Sequence, residues 1–196
     1  MIAIMGSSGV GKSTIATILS HRMNWALLKE PVEDNPYLGD YYRYPERYAF
    51  AMQIFMLHSR FQQARQYADY RVVSDTSMWG NDVFAQLQHE LGYMSDVDYA
   101  TYRAMSKTLI SLVKPPELMV YLKCNHLEML KRILNRRRAV EMKAPTEYWL
   151  SLINHFDEWY EKYDLGKKIM IDVSNIDVVD IGDDEDWIVD AILEAY

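Results

Sequence analysis

Gly6-Ser7-Ser8-Gly9-Val10-Gly11-Lys12-Ser13-Thr14, preceded by the apolar run Met1-Ile2-Ala3-Ile4-Met5, is the stretch from which the architecture can be read. An apolar strand, a glycine-rich turn and the helical spacing of Lys12 to Met23 together match the full P-loop pattern. Glycines let such a turn curl so that successive amide hydrogens face inward, where phosphate oxygens meet them at a helix N-terminus. All nine residues of the turn are therefore expected to cradle a nucleoside triphosphate. Lys12 adds a point charge for the outer phosphates, and Ser13 offers a hydroxyl to the magnesium ion that bridges them. The bland alternative is a glycine turn that only caps a helix, and the strand in front of it weighs against that.

Working outward, short apolar runs alternate with longer helical segments, the signature of βαβ units around a parallel sheet. Strands are expected at Met1 to Met5, Trp25 to Leu28, Arg71 to Ser74, Leu118 to Lys123 and Lys168 to Val173. Helices are expected at Lys12 to Met23, Pro45 to Tyr67, Asn81 to Leu91, Ser95 to Val113, His126 to Arg136, Thr146 to Tyr163 and Asp184 to Ala195. No repeat or linker divides the 196 residues, which predicts one domain over 1–196. The formal net charge of -7 works against a nucleic-acid partner. No apolar run is long enough to span a membrane, no secretory leader is visible, and a lone cysteine, Cys124, rules out a disulfide framework; a cytoplasmic protein is expected. Five histidines without paired spacing do not suggest zinc.

A P-loop alone fits a kinase, a hydrolase, a switch or a motor, so the ends of the other strands must decide. Glu30 follows the second strand and Asp75 the third, both where a parallel sheet opens its crevice. One such acid can take a proton from a hydroxyl nucleophile while the other holds magnesium; either can also be a simple cap. The basic run Lys131, Arg132, Arg136, Arg137 and Arg138 closes one helix and opens a loop. By itself it reads equally as a cationic helix C-terminus.

Together these pieces resemble the deoxynucleoside kinase family, which includes deoxycytidine, deoxyadenosine and deoxyguanosine kinases. The likeness runs through the P-loop, Glu30-Pro31-Val32, Asn35-Pro36-Tyr37-Leu38, Tyr42, Pro45 to Phe50, Gln53 with Arg60, then Arg132, Arg136, Arg138 and Glu141, and the Tyr148, Leu150 and Trp159-Tyr160-Glu161 region. The resemblance implies a P-loop kinase fold with an arginine-rich lid at about 132–145. It implies transfer of the γ-phosphoryl of ATP, with magnesium, to the 5′-hydroxyl of a deoxynucleoside, and a homodimer. Carried over residue by residue, Glu30 becomes the general base, Tyr42 and Glu141 hold the sugar 3′-hydroxyl, and Gln53 reads the base edge. Asp75 joins Ser13 at the metal, and Arg132, Arg136 and Arg138 neutralise charge at the phosphates. Arg60 lies two helical turns after Gln53, on the same face. Trp79 and Phe84 are candidates to sandwich the base, since aromatic faces stack on any nucleobase.

The likeness breaks after the third strand. An acid-Arg-Ser triplet is usual there, whereas this chain reads Asp75-Thr76-Ser77, and a threonine has neither the length nor the charge of an arginine. Five residues beyond the arginine position the family usually has an acid that pairs with the helix arginine; here it is Asn81, which is expected to leave Arg60 less neutralised. Three readings follow: a deoxynucleoside kinase, a nucleoside monophosphate kinase whose Arg60 takes an anion or a modified base, and a nucleotide-binding protein with little turnover.

Overall fold

Five parallel strands form the sheet: β1 (Ile2–Met5), β2 (Ala26–Leu28), β3 (Val72–Asp75), β4 (Leu118–Lys123) and β5 (Lys167–Asp172). The computed structural model describes residues 1–30, 32, 35–136, 144–178, 182 and 184–196. The strands line up as β2-β3-β1-β4-β5, and β1, β3 and most of β4 are fully buried, as expected where helices cover both faces of a parallel sheet. Register is set by Ile2 facing Val73 on one side and Leu118 on the other.

Between and after the strands run α1 (Lys12–Met23), α2 (Leu38–Tyr41), α3 (Pro45–Gln66), α4 (Asn81–Glu90), α5 (Asp96–Ile110), α6 (His126–Arg136), α7 (Thr146–Lys162) and α8 (Asp184–Ala195). Pro45 occupies the first turn of α3, where a missing amide hydrogen costs nothing, and Ser95 caps α5 by accepting from the Asp98 amide at 3.1 Å. A single 3-10 turn, Met78–Gly80, leads from β3 into α4. All five expected strands are present within a residue or two of their expected ends. The short α2 is the one helix among the described residues that spacing does not anticipate.

A continuous apolar core joins the sheet to both layers through Leu19, Leu57, Leu87, Tyr102, Phe156 and Ile192. Phe156 in α7 meets Phe84 of α4 edge-on at 5.5 Å and stacks near Tyr121 of β4 at 6.4 Å. Trp159, one turn further along α7, donates its indole hydrogen to the Trp79 carbonyl at 2.9 Å. Helix α7 thereby braces the turn that delivers Asn81. No described helix is long and apolar enough to cross a membrane.

Candidate active site

The P-loop fills the gap between the end of β1 and the start of α1. Gly6 has φ +146°, and a Cβ there would stand 2.7 Å from the Leu122 carbonyl oxygen of β4. Gly11, at φ +92°, would press a Cβ to 2.7 Å from Val178. Only glycine satisfies both the left-handed backbone and the close approach. Gly9 and Val10 complete the curl between them, Ser7 turns its hydroxyl to the Met129 sulfur, and Ser8 and Thr14 are half-buried along it. Lys12 folds back to donate to the Ser7 carbonyl at 2.7 Å.

Asp75 ends β3 beside this loop. Its carboxyl is buried, and Oδ1 has no hydrogen-bond partner among the described residues. Burial raises its pKa, and Lys12 and the Ser13 hydroxyl pull it back only in part. An orphaned, desolvated acceptor next to a serine hydroxyl is the environment a hard divalent cation satisfies, so Ser13 and Asp75 fit magnesium.

Glu30 follows β2 and faces a different partner. Its Oε1 accepts from Nη2 of Arg60, a side chain only 4% exposed, while the Glu30 carboxylate is 28% exposed at the mouth of the crevice. Nη1 of Arg60 donates to Oδ1 of Asn81. The Asn81 amide then donates from Nδ2 to Gln53 Oε1 at 3.3 Å and to the Tyr102 hydroxyl at 2.7 Å. Gln53, Arg60 and Asn81 are thus gathered into one buried polar chain that starts at Glu30. Arg60 is not released by the asparagine: it is held at both ends.

Thr76 directly follows Asp75 at φ +80°, a left-handed conformation that is a genuine outlier for a β-branched residue. The strain is held by a hydrogen bond from its amide to the Ile4 carbonyl at 3.0 Å and by the Ser74 hydroxyl on its own carbonyl at 2.5 Å. Its hydroxyl is buried without a partner among the described residues.

The remaining expected residues are spread around this centre. Tyr42 is half-buried, edge-on to Tyr41 at 5.2 Å. Trp79 is buried in the core, and Phe84 packs on Phe156 rather than parallel to Trp79 as a sandwich would require. Arg132 lies in α6, where Nε donates to Glu128 at 3.0 Å and Nη2 to the carbonyls of Val173 and Ile176, both at 2.7 Å. It ties α6 to the segment carrying Val178 over Gly11. Arg136 is the last residue of α6, while Arg138, Glu141 and half of the expected lid lie outside the described residues. Tyr102 was not singled out by sequence. One tyrosine among fifteen, on a different helix, carries no local mark of its hydrogen bond to Asn81.

Known proteins resemble the whole arrangement. A deoxyadenosine kinase of Dictyostelium discoideum is 36% identical over 82% of this chain and 66% of its own length. A deoxyguanosine kinase of Lactobacillus johnsonii is 30% identical over 98% of this chain and 91% of that one. The structure of deoxyadenosine kinase from M. mycoides with bound dCTP superposes with a TM-score of 0.86 at 28% identity, covering 100% of this chain and 99% of that one. The same M. mycoides enzyme has been seen with bound dATP. The family model for deoxynucleoside kinases aligns with residues 2–195, and this chain belongs to that family.

Proposed function

We propose that this chain transfers the γ-phosphoryl group of ATP to the 5′-hydroxyl of a deoxynucleoside, with Glu30 as general base. The observation that carries the assignment is the division of labour between the two acids. Asp75 feels Lys12 and Ser13, the phosphate end of the crevice, whereas Glu30 is anchored by Arg60, one residue of the polar chain that leads away from it. Oε1 of Glu30 is engaged by Arg60, so Oε2 is the oxygen that receives the hydroxyl proton. The P-loop amides and Lys12 hold the triphosphate tail in line with that hydroxyl, so the reaction is mainly one of positioning and charge stabilisation. Magnesium, held from Ser13 and Asp75, neutralises charge on the outer phosphate oxygens when bound. Arg132, with Arg136 and Arg138, supplies further positive charge at the phosphates.

The pairing of Arg60 at both ends favours a nucleoside over a monophosphate acceptor, because the guanidinium is already committed to Glu30 and Asn81. Tyr42 and Glu141 are assigned to the sugar 3′-hydroxyl, and Gln53 to the base edge, on the strength of the family motifs. Helix α5 buries only Tyr102 and Ser106 and leaves Val97, Met105 and Leu112 of this region exposed, which supports a homodimer through that face. The single, buried thiol of Cys124 agrees with a reducing cytoplasm.

The test is a phosphoryl-transfer panel of deoxynucleosides and their monophosphates with ATP and magnesium. Product from nucleosides alone supports the assignment. Product from monophosphates alone assigns a monophosphate kinase instead, and tight ATP binding without transfer to either assigns a nucleotide-binding protein.

A further inference from the structure

We propose that Asp82, acting through Tyr102 and Asn81, supplies a second counter-charge that holds Arg60 in place while Glu30 takes up the substrate proton. Asp82 and Tyr102 are then positioning residues, which act on the base through Arg60. The inference rests on the reading above of Glu30 as general base.

The need for a second counter-charge follows from the reaction. As the 5′-oxygen attacks the γ-phosphorus and the bond to the ADP oxygen breaks, the hydroxyl proton passes to Glu30, whose carboxylate becomes a neutral acid. Arg60, 4% exposed, then loses the charge on its direct ion-pair partner. Asp75 also feels the guanidinium, but it is assigned to magnesium. A buried guanidinium without a counter-charge is costly, and one that shifts to relieve the cost carries the base out of line.

On the far side of Arg60 the hydrogen bonds all run one way. Arg60 has only donors, so Nη1 meets Oδ1 of Asn81. Nδ2 of Asn81 donates to the Tyr102 hydroxyl at 2.7 Å and to Gln53 Oε1 at 3.3 Å. Burial and the Asp82 carboxylate keep the Tyr102 hydroxyl protonated, and Asp82 accepts its hydrogen. Asp82 directly follows Asn81 on α4, so one tyrosine from α5 reaches both. Ser106, one turn beyond Tyr102, donates to Asp82 Oδ1 at 2.6 Å, and Arg103 Nε stands 3.9 Å from Oδ2. Asn81 and Tyr102 are fully buried, so water does not compete for the links between them. Each member from Arg60 outward donates to the next, and the series ends on a negative charge. Such a chain polarises its members, which makes the Asn81 carbonyl a stronger acceptor for Arg60 than an isolated amide.

The experiment measures kcat and KM for one accepted deoxynucleoside, with ATP and magnesium, in the parent chain and in Tyr102→Phe, Asp82→Asn and Asn81→Asp. Asn81→Asp is also combined with each of the other two. Tyr102→Phe cuts the chain, whereas Asp82→Asn keeps an accepting oxygen and removes only the charge. Each should lower kcat by about three- to tenfold and leave the KM for ATP within about twofold. Asp82→Asn is nearly isosteric at a side chain 30% exposed, and it carries the test if Tyr102→Phe does not fold. Asn81→Asp sets a carboxylate directly on Arg60 and makes the outer links dispensable. Added to it, either change should move kcat by less than about twofold, a rescue that a merely structural tyrosine would not show. Transfer by the parent with kcat within about twofold in both single variants overturns the inference and leaves the proposed kinase activity standing. A loss that persists undiminished beside Asn81→Asp overturns it as well. No transfer to any deoxynucleoside by the parent removes the proposed function, and this inference with it.

Discussion

Replacing Glu30 by glutamine separates two things that carboxylate does. The amide is nearly isosteric and keeps an oxygen for Arg60, but it cannot take a proton and carries no charge. A positioned general base contributes about a hundredfold to ten-thousandfold, so kcat should fall by that factor, or about 3 to 5 kcal/mol on the barrier. The variant also leaves the guanidinium of Arg60, 4% exposed, against a neutral partner. Breaking a fully buried pair costs several kcal/mol, but Glu30 is 28% exposed and water relieves part of the loss. About 1 to 2 kcal/mol is the appropriate range, which in a chain of this length lowers Tm by about 2 to 8 °C. Steady-state phosphorylation of the best nucleoside, with ATP varied, reads the first effect, and calorimetric melting the second. The KM for ATP should hold, because the P-loop, Lys12, Ser13 and Asp75 are untouched. A kcat within about tenfold of the parent refutes Glu30 as the base, and an unchanged Tm refutes the ion pair as a stabilising contact.

Three further outcomes are expected. Burial pushes the His155 pKa down, but hydrogen bonds to Glu90 at 2.8 Å and to the Ser151 carbonyl at 2.7 Å outweigh it and leave the pKa raised. The clasp between α4 and α7 is thus fully stabilising below the unfolded histidine value of about 6.5 and lost as pH climbs through the folded one; with Glu90 half exposed it amounts to about 0.5 to 1 kcal/mol, and His155→Gln should flatten that part of a Tm-against-pH curve. Phe156→Ala empties the contact between Phe84 and Tyr121 and should cost about 3 to 5 kcal/mol in urea unfolding. Arg132→Met removes the donors to Val173 and Ile176 and loosens the segment over Gly11; the KM for ATP should rise several-fold while the KM for the nucleoside stays within about twofold.

The fold was legible because its signals are local. A strand, a glycine turn and Lys12 name the βα unit in consecutive residues, and β4 and β5 carry their own apolar runs. Leu38–Tyr41 escaped because one helical turn holds too few positions to show a period. The site divides the same way. Lys12, Ser13, Glu30 and Asp75 stand at strand ends and can be placed from order alone. The fate of Arg60 cannot: its partners come from two other places in the chain, and only the folded molecule shows that Asn81 holds it rather than freeing it. Nor does any neighbour of Thr76 announce its left-handed backbone, which is imposed by the Ile4 carbonyl across the sheet. Phe84, three residues after Asn81, lies on the helix as spacing requires, yet its ring is claimed by Phe156 from α7.

The strand order has a consequence for how the molecule is made. The central strand leaves the ribosome before either neighbour, since Ile2 pairs with Val73 and Leu118 and nothing nearer can satisfy its backbone. Until Val73 and Leu118 have both been made, the buried strand β1 lacks its two neighbours, and closing the sheet is a long-range, slow event. Docking of α1, which follows β1 directly in the chain and packs against it, can cover one side of that strand in the interval.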